Sequence, residues 1–145
     1  MVEPCCMTLC DAVNKDHEEC FEFLLNQGIN VEDGNGWTLL QLVVMGGHKK
    51  YLESLLARGV DTTTNNGRPI LGLAAKYKRK ECLEILLAHG IKHDERDSSG
   101  QTAIHHVVIF EFEECLALLL AYGTNVNARN NDGITPLHLS VSLDR

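Results

Sequence analysis

The chain has 145 residues, 44% of them hydrophobic and 23% charged, which is enough for one domain with a real core and an ordinary globular balance. Its formal charge of −7 argues against a general nucleic-acid or acidic-membrane binder, whose faces are usually basic. No apolar run approaches the ~20 residues of a membrane helix. The Met1-Val2-Glu3-Pro4 start lacks the basic and apolar regions of a secretory signal, and no Asn-x-Ser/Thr site occurs.

Two sets of glycine markers run through the chain in step. Phe23-Leu24-Leu25-x-x-Gly28 returns as Leu55-Leu56-x-x-Gly59, Leu86-Leu87-x-x-Gly90 and Leu119-Leu120-x-x-Gly123, with glycines 31, 31 and 33 residues apart. Gly36-Trp37-Thr38 returns as Gly67-Arg68-Pro69, Gly100-Gln101-Thr102 and Gly133-Ile134-Thr135, at intervals of 31, 33 and 33. Self-similarity at such a period predicts a stack of like units. They fall at about residues 1–33, 34–64, 65–96, 97–129 and 130–145, the last one incomplete.

The first unit is degenerate, with Met7-Thr8-Leu9-Cys10 at its start, as befits a terminal cap. In the second unit, Leu40, Leu42 and Val43 predict a short apolar helix that Gly46-Gly47-His48 breaks. The third repeats it with Leu71, Leu73, Ala74 and Ala75. A second helix follows there, carrying Cys82, Leu83, Ile85, Leu86 and Leu87 at helical spacing and ended by Gly90. The fourth and fifth units open on Thr102 and Thr135, whose hydroxyls suit free helix amides. Pro136 sits in a first turn, where its missing N–H costs nothing. Polar stretches such as Asn127 to Gly133 make the turns between units.

Thr135-Pro136-Leu137-His138, Gly47-His48 and Gly123-Thr124-Asn125-Val126-Asn127-Ala128 carry a resemblance to the ankyrin repeats, over about Met7 to Arg145. The resemblance implies an all-α solenoid of stacked helix-turn-helix units with protruding β-hairpin loops. It also implies that His105 and His138 are structural, bonding to backbone between hairpins. The chain departs from the pattern in the third unit, where Pro69-Ile70 replaces the threonine cap. Lys78-Arg79 and Glu111-Phe112 stand where Gly-His is expected, each at a cost of up to about 1 kcal/mol if the left-handed backbone persists. The last unit stops after its first helix, leaving Leu137, Leu139 and Val141 without a covering helix. Either the sequence is a piece of a longer protein, or further repeats or a second subunit cover that end.

Cys20, Cys82 and Cys115 hold one place in their units, and Tyr51 holds it in the second. Helices stacked at about 8–10 Å put equivalent α-carbons beyond the ~7 Å disulfide limit, so these cysteines are read as reduced core residues in a reducing compartment. The expected localisation is intracellular, cytoplasmic and/or nuclear. Cys5, Cys6, Cys10, His17 and Cys20 form a ligand-rich stretch. Their spacing matches no Cys-x-x-Cys knuckle, so no metal and no cofactor is assigned. A metal-stabilised domain stands as an alternative that a chelator would expose. Gly34-Asn35-Gly36 lacks the Lys-Ser/Thr of a phosphate loop, and no nucleophile has a recognised setting, so the chain is not read as an enzyme.

The resemblance implies a concave binding side made of hairpin tips and first helices. The residues that the scaffold leaves free there and that are large, apolar or cationic are Trp37, Met45, Arg68, Lys76, Tyr77, Ile109 and Phe110, with Gln101 on the polar rim. Trp, Tyr and Arg are the types enriched at hot spots. Met45 and Ile109 could instead pack on the next unit, and Phe110 could fold in beside Phe112. Lys76, Lys78, Arg79 and Lys80 form a basic run that could meet an acidic stretch of a partner or simply be solvated. The functional expectation is a protein–protein interaction module (adaptor, inhibitor or substrate-recruiting), with no nucleic-acid partner and no direct membrane insertion. The alternative is a structural spacer within a longer repeat protein.

Overall fold

The structure is a computed structural model and describes residues 12–13, 15–26, 38–60, 62 and 67–143. Eight helices lie among them. These are α1 (Glu18–Asn26), α2 (Leu39–Gly46), α3 (Lys49–Ala57), α4 (Ile70–Lys76), α5 (Lys80–Ala88), α6 (Ala103–Ile109), α7 (Glu113–Ala121) and α8 (Pro136–Leu143). Pairs α2/α3, α4/α5 and α6/α7 pack within a unit. Between units, α2 meets α4, α4 meets α6 and α6 meets α8, while α3 meets α5 and α5 meets α7. First helices therefore stack on first helices and second on second, the arrangement of a solenoid.

Position in the stack explains the sequence of each helix. In α4, every residue from Ile70 to Ala75 is buried, because neighbours flank it on both sides and its own second helix covers its back. From Ile70 to Ala75 it is apolar all round, as a stretch with no solvent face must be, and only Lys76 at its end is exposed. Second helices keep a polar outer face. In α5 only Cys82, Leu83, Leu86 and Leu87 are buried, one stripe at helical spacing. Cys20, Cys82 and Cys115 lie buried as free thiols in equivalent places. Burial pushes Cys82 up to about 11 and Cys115 up to about 12, the opposite of thiolate activation. Tyr51 takes the same place, tilted against Phe21 at 4.4 Å between ring centres, and its hydroxyl donates to Asp16 Oδ1 at 2.8 Å.

The turns repeat with the helices. After each first helix, a left-handed residue and its successor fold back on the last carbonyls. His17, His48, Arg79 and Phe112 donate to the carbonyls of Ala12, Val43, Ala74 and Val107 at 2.8–3.0 Å. This six-residue closure satisfies carbonyls that the helix end would orphan. The left-handed residue is Gly47 once, but Asp16, Lys78 and Glu111 elsewhere, at φ of 55°, 59° and 53°. The turn geometry is thus kept where glycine is lost, at the strain cost anticipated from the sequence. Lys78→Gly and Glu111→Gly should each stabilise the chain by about 0.5–1 kcal/mol, the left-handed penalty less glycine's unfolded-state entropy. Chemical denaturation checks this, and an unchanged midpoint would mean that the two lysine and glutamate side chains repay the strain elsewhere.

The two loops described throughout, at the starts of the fourth and fifth units, are tight hairpin turns, with no strand among the described residues. The Asp97 amide donates to the Gln101 carbonyl at 2.9 Å, and Asn130 does the same to Ile134. In each, the leading side chain also accepts two amides. Asp97 Oδ1 takes those of Ser99 and Gln101, and Asn130 Oδ1 those of Asp132 and Ile134. Successive hairpins are tied directly: the Asn131 amide donates to the Ser99 carbonyl at 3.0 Å and its side chain to the Ser98 carbonyl at 2.9 Å. The Arg96 guanidinium bridges the carbonyls of Gly100 and Arg129. At the far end, Leu137 and Val141 are about 70% exposed and Leu139 is half-buried.

Candidate functional site

Hairpin turns and first helices line one side of the stack, and a chain of side chains fixes the hairpins onto the helices. His105 is fully buried. The Thr102 amide donates to its Nδ1 at 3.1 Å, so Nε2 carries the hydrogen and donates to the Ile134 carbonyl of the next hairpin at 2.9 Å. Gln41 does the same work two units earlier in the stack. Its Oε1 accepts from the Thr38 amide at 3.0 Å, and its Nε2 donates to the Arg68 carbonyl at 2.7 Å. His138 begins the same pattern, with Thr135 Oγ1 at 2.9 Å from Nδ1. In the third unit the equivalent residue is Gly72, which has no side chain to send across.

The missing side chain leaves a cavity of about 260 Å³ between the third and fourth units. Arg68, Lys76, Tyr77 and Gln101 line it, together with Gly72, Asp97, Ser98 and His106. His106 fills in for the absent residue. Its ring edge lies 3.4 Å from where a Gly72 Cβ would be, and its Nε2 sits 2.9 Å from Asp97 Oδ2. The hairpin that no third-unit side chain reaches is thus held from its own unit. Burial lowers the His106 pKa despite the Asp97 carboxylate, which favours the neutral ring with Nε2–H donating to Asp97. Its Nδ1 and the Oε1 of Gln101 are both buried without a hydrogen-bond partner.

Four of the eight residues singled out from the sequence, Arg68, Lys76, Tyr77 and Gln101, therefore meet at one cleft. Tyr77 is 38% exposed, with Lys76 Nζ 5.8 Å from its ring centre. Ile109 and Phe110 are half-buried, and Phe110 stacks on the His106 ring rather than folding in beside Phe112, which packs on the core. Met45 is half-buried against the core and contributes its carbonyl to the Arg79 Nε at 2.7 Å. Trp37 lies outside the described residues. So do Cys5, Cys6 and Cys10; of the remaining ligand-type residues, His17 is exposed and Cys20 is buried. The basic run does not act as a unit: Arg79 is committed to Met45, and Lys80 pairs with Glu114 at 3.0 Å. Asp97, His106 and Gly72 were not anticipated as site residues. The available signal was a glycine at the bridging position beside a His-His pair in the next unit.

A family profile described as ankyrin repeats in three copies matches residues 9–97 and again 92–145. The chain belongs to the ankyrin-repeat family. No curated protein matches it. Ankyrin repeats are generally protein–protein interaction modules, and the family is typically non-enzymatic. In this ankyrin-repeat chain no described helix is long and apolar enough to cross a membrane. Among the described residues its hairpin bridge is glutamine in the second unit and histidine in the fourth, and the third unit, where Gly72 stands, borders the cleft without one.

Proposed function

We propose that this ankyrin-repeat chain is an adaptor, inhibitor or substrate-recruiting module that binds a protein through its hairpin and first-helix side. The observation that carries the reading is the convergence of Arg68, Lys76, Tyr77 and Gln101 on one cleft, above a helix whose residues 70–75 are all buried. The core and the Gln41 and His105 bridges hold the backbone there, and these side chains line the cleft that it frames. A surface fixed before the encounter loses little conformational entropy on binding. An aromatic ring beside cations and polar groups matches the composition of interface hot spots. The module works by binding rather than catalysis, and the buried thiols of Cys82 and Cys115 fit a chain that keeps its cysteines reduced inside the cell.

Quantitative affinity capture tests the reading. The Lys76→Ala/Tyr77→Ala double variant should retain the melting temperature and lose the captured partner by about tenfold or more, as truncated hot spots do. Glu53→Ala, at an exposed site on α3, should leave capture unchanged. Equal capture by the double variant and the wild type would place binding elsewhere.

A further inference from the structure

The hairpin of the fourth unit is held to the first helices through a titratable bond. The third and fifth hairpins receive a bridge from the preceding unit, Gln41 to the Arg68 carbonyl and His105 to the Ile134 carbonyl. Gly72 sends none, and the fourth hairpin is tied to α6 through Asp97 instead. Asp97 Oδ1 gathers the amides of Ser99 and Gln101, which shapes the turn, and its Oδ2 takes the Nε2 hydrogen of His106 at 2.9 Å. The His106 side chain is only 12% exposed. Its ring stacks on Phe110, with ring centres 6.3 Å apart, and its Nδ1 is buried with no hydrogen-bond partner. Gln101 Oε1, another unpartnered acceptor of the cavity lining, is not within bonding reach of that Nδ1. A second proton on the ring would therefore be a buried N–H with no acceptor.

We propose that the His106–Asp97 pair is a proton-operated latch, which clamps the fourth hairpin while the ring is neutral and releases it, opening the cleft, when the ring is protonated. Asp97 favours the charged ring, while Lys76 on α4 and His105 on the same helix oppose it, and Arg68 lines the same cavity. Of the other helices packed on α6, α7 starts with the exposed Glu113 and Glu114, the latter paired with Lys80, and α8 brings His138, held by Thr135. Burial outweighs the Asp97 carboxylate, so the latched ring titrates below its ordinary value. A ring released into water titrates at about 6.5, above the latched one, so the latch is at full strength above about pH 7.5 and weakens as the pH falls through about 6.5. The loss levels off once the pH is below the latched ring's own value. The latch needs no partner to operate. On the proposed binding side, it gives the surface a shape at neutral pH that is lost in a mildly acidic setting.

Nuclear magnetic resonance on the isotope-labelled chain, from about pH 7.5 to about pH 5, tests the latch. The His106 ring signals should titrate below about 6.5. The exchange protection of the Ser99 and Gln101 amides should fall by about threefold or more between about pH 7.5 and pH 5.5, where a released ring is charged over neutral by about tenfold. His106→Gln offers Asp97 a side-chain amide that takes up no proton, so its hairpin protection should stay level over that range. His105 is the same in both chains, so any acid response of its own is common to them. A His106 ring that titrates at or above about 6.5 overturns the proposal on the wild-type chain alone. So does a ring that titrates lower with no loss of hairpin protection, or an equal loss in the wild type and His106→Gln. All of these outcomes are read on the free chain, so they stand or fall apart from the protein-binding reading.

Discussion

Replacing His105 with alanine should destabilise the chain by about 3 kcal/mol, while glutamine should cost less than about 1 kcal/mol. The alanine variant leaves the buried Thr102 amide without a partner, removes one of the two bonds to the Ile134 carbonyl, which keeps the Asn130 amide, and opens a void where a fully buried ring stood. Each unpaired buried group costs about 1–3 kcal/mol, and the void adds to it. Glutamine is expected to serve because it already does. Gln41 accepts from Thr38 and donates to Arg68 with the same polarity that His105 shows toward Thr102 and Ile134. The damage should also be local. His105 ties the fourth unit to the fifth, and in a solenoid each unit is held by its neighbours, so α8 should lose hydrogen-exchange protection first. Equal destabilisation by alanine and glutamine would show that ring packing, not the bridge, is what the position needs.

Gly100→Ala should cost about 3 kcal/mol, and Gly133→Ala only about 1 kcal/mol, although the two glycines share a conformation. Both sit in the left-handed region, at φ of 77° and 74°, where an alanine is strained by about 1–2 kcal/mol. The difference is what lies beside them. A Cβ on Gly100 would stand 2.3 Å from Asn131 Oδ1 and 2.6 Å from Asn131 N, whereas one on Gly133 meets nothing within 4 Å. The side-chain clash could be turned away, but the one with Asn131 N is with backbone and cannot be relieved in that way. It forces the hairpins apart and breaks the Asn131 bonds to Ser98 and Ser99. Chemical denaturation of the two variants side by side measures the contrast, and equal losses would mean that hairpin contact contributes little.

The stack was legible in the sequence because its markers are local backbone demands. Gly90 and Gly123 end second helices in the left-handed region, and Thr102 and Thr135 open first helices, so spacing alone reveals the period. The strain at Lys78 and Glu111 was legible for the same reason. The cleft was less so. Arg68, Lys76, Tyr77 and Gln101 follow from positions that the scaffold leaves free. That they share a cavity depends on an absence at Gly72 and on which of two adjacent histidines turns toward it. Nothing in a run of letters says that His105 faces inward to Thr102 while His106 crosses to Asp97. The basic run stayed open in the sequence for a similar reason, since Arg79 and Lys80 are neighbours there but bond to different elements, the end of α2 and the start of α7.

The central claim is that the stacked hairpins and first helices form the binding side, and hydrogen exchange of the chain with and without its captured protein partner tests it most directly. Protection should appear in residues 67–77 and 97–110, with the outer faces of α3, α5 and α7 unchanged. Protection confined to those second helices, with the cleft exchanging as in the free chain, would contradict it.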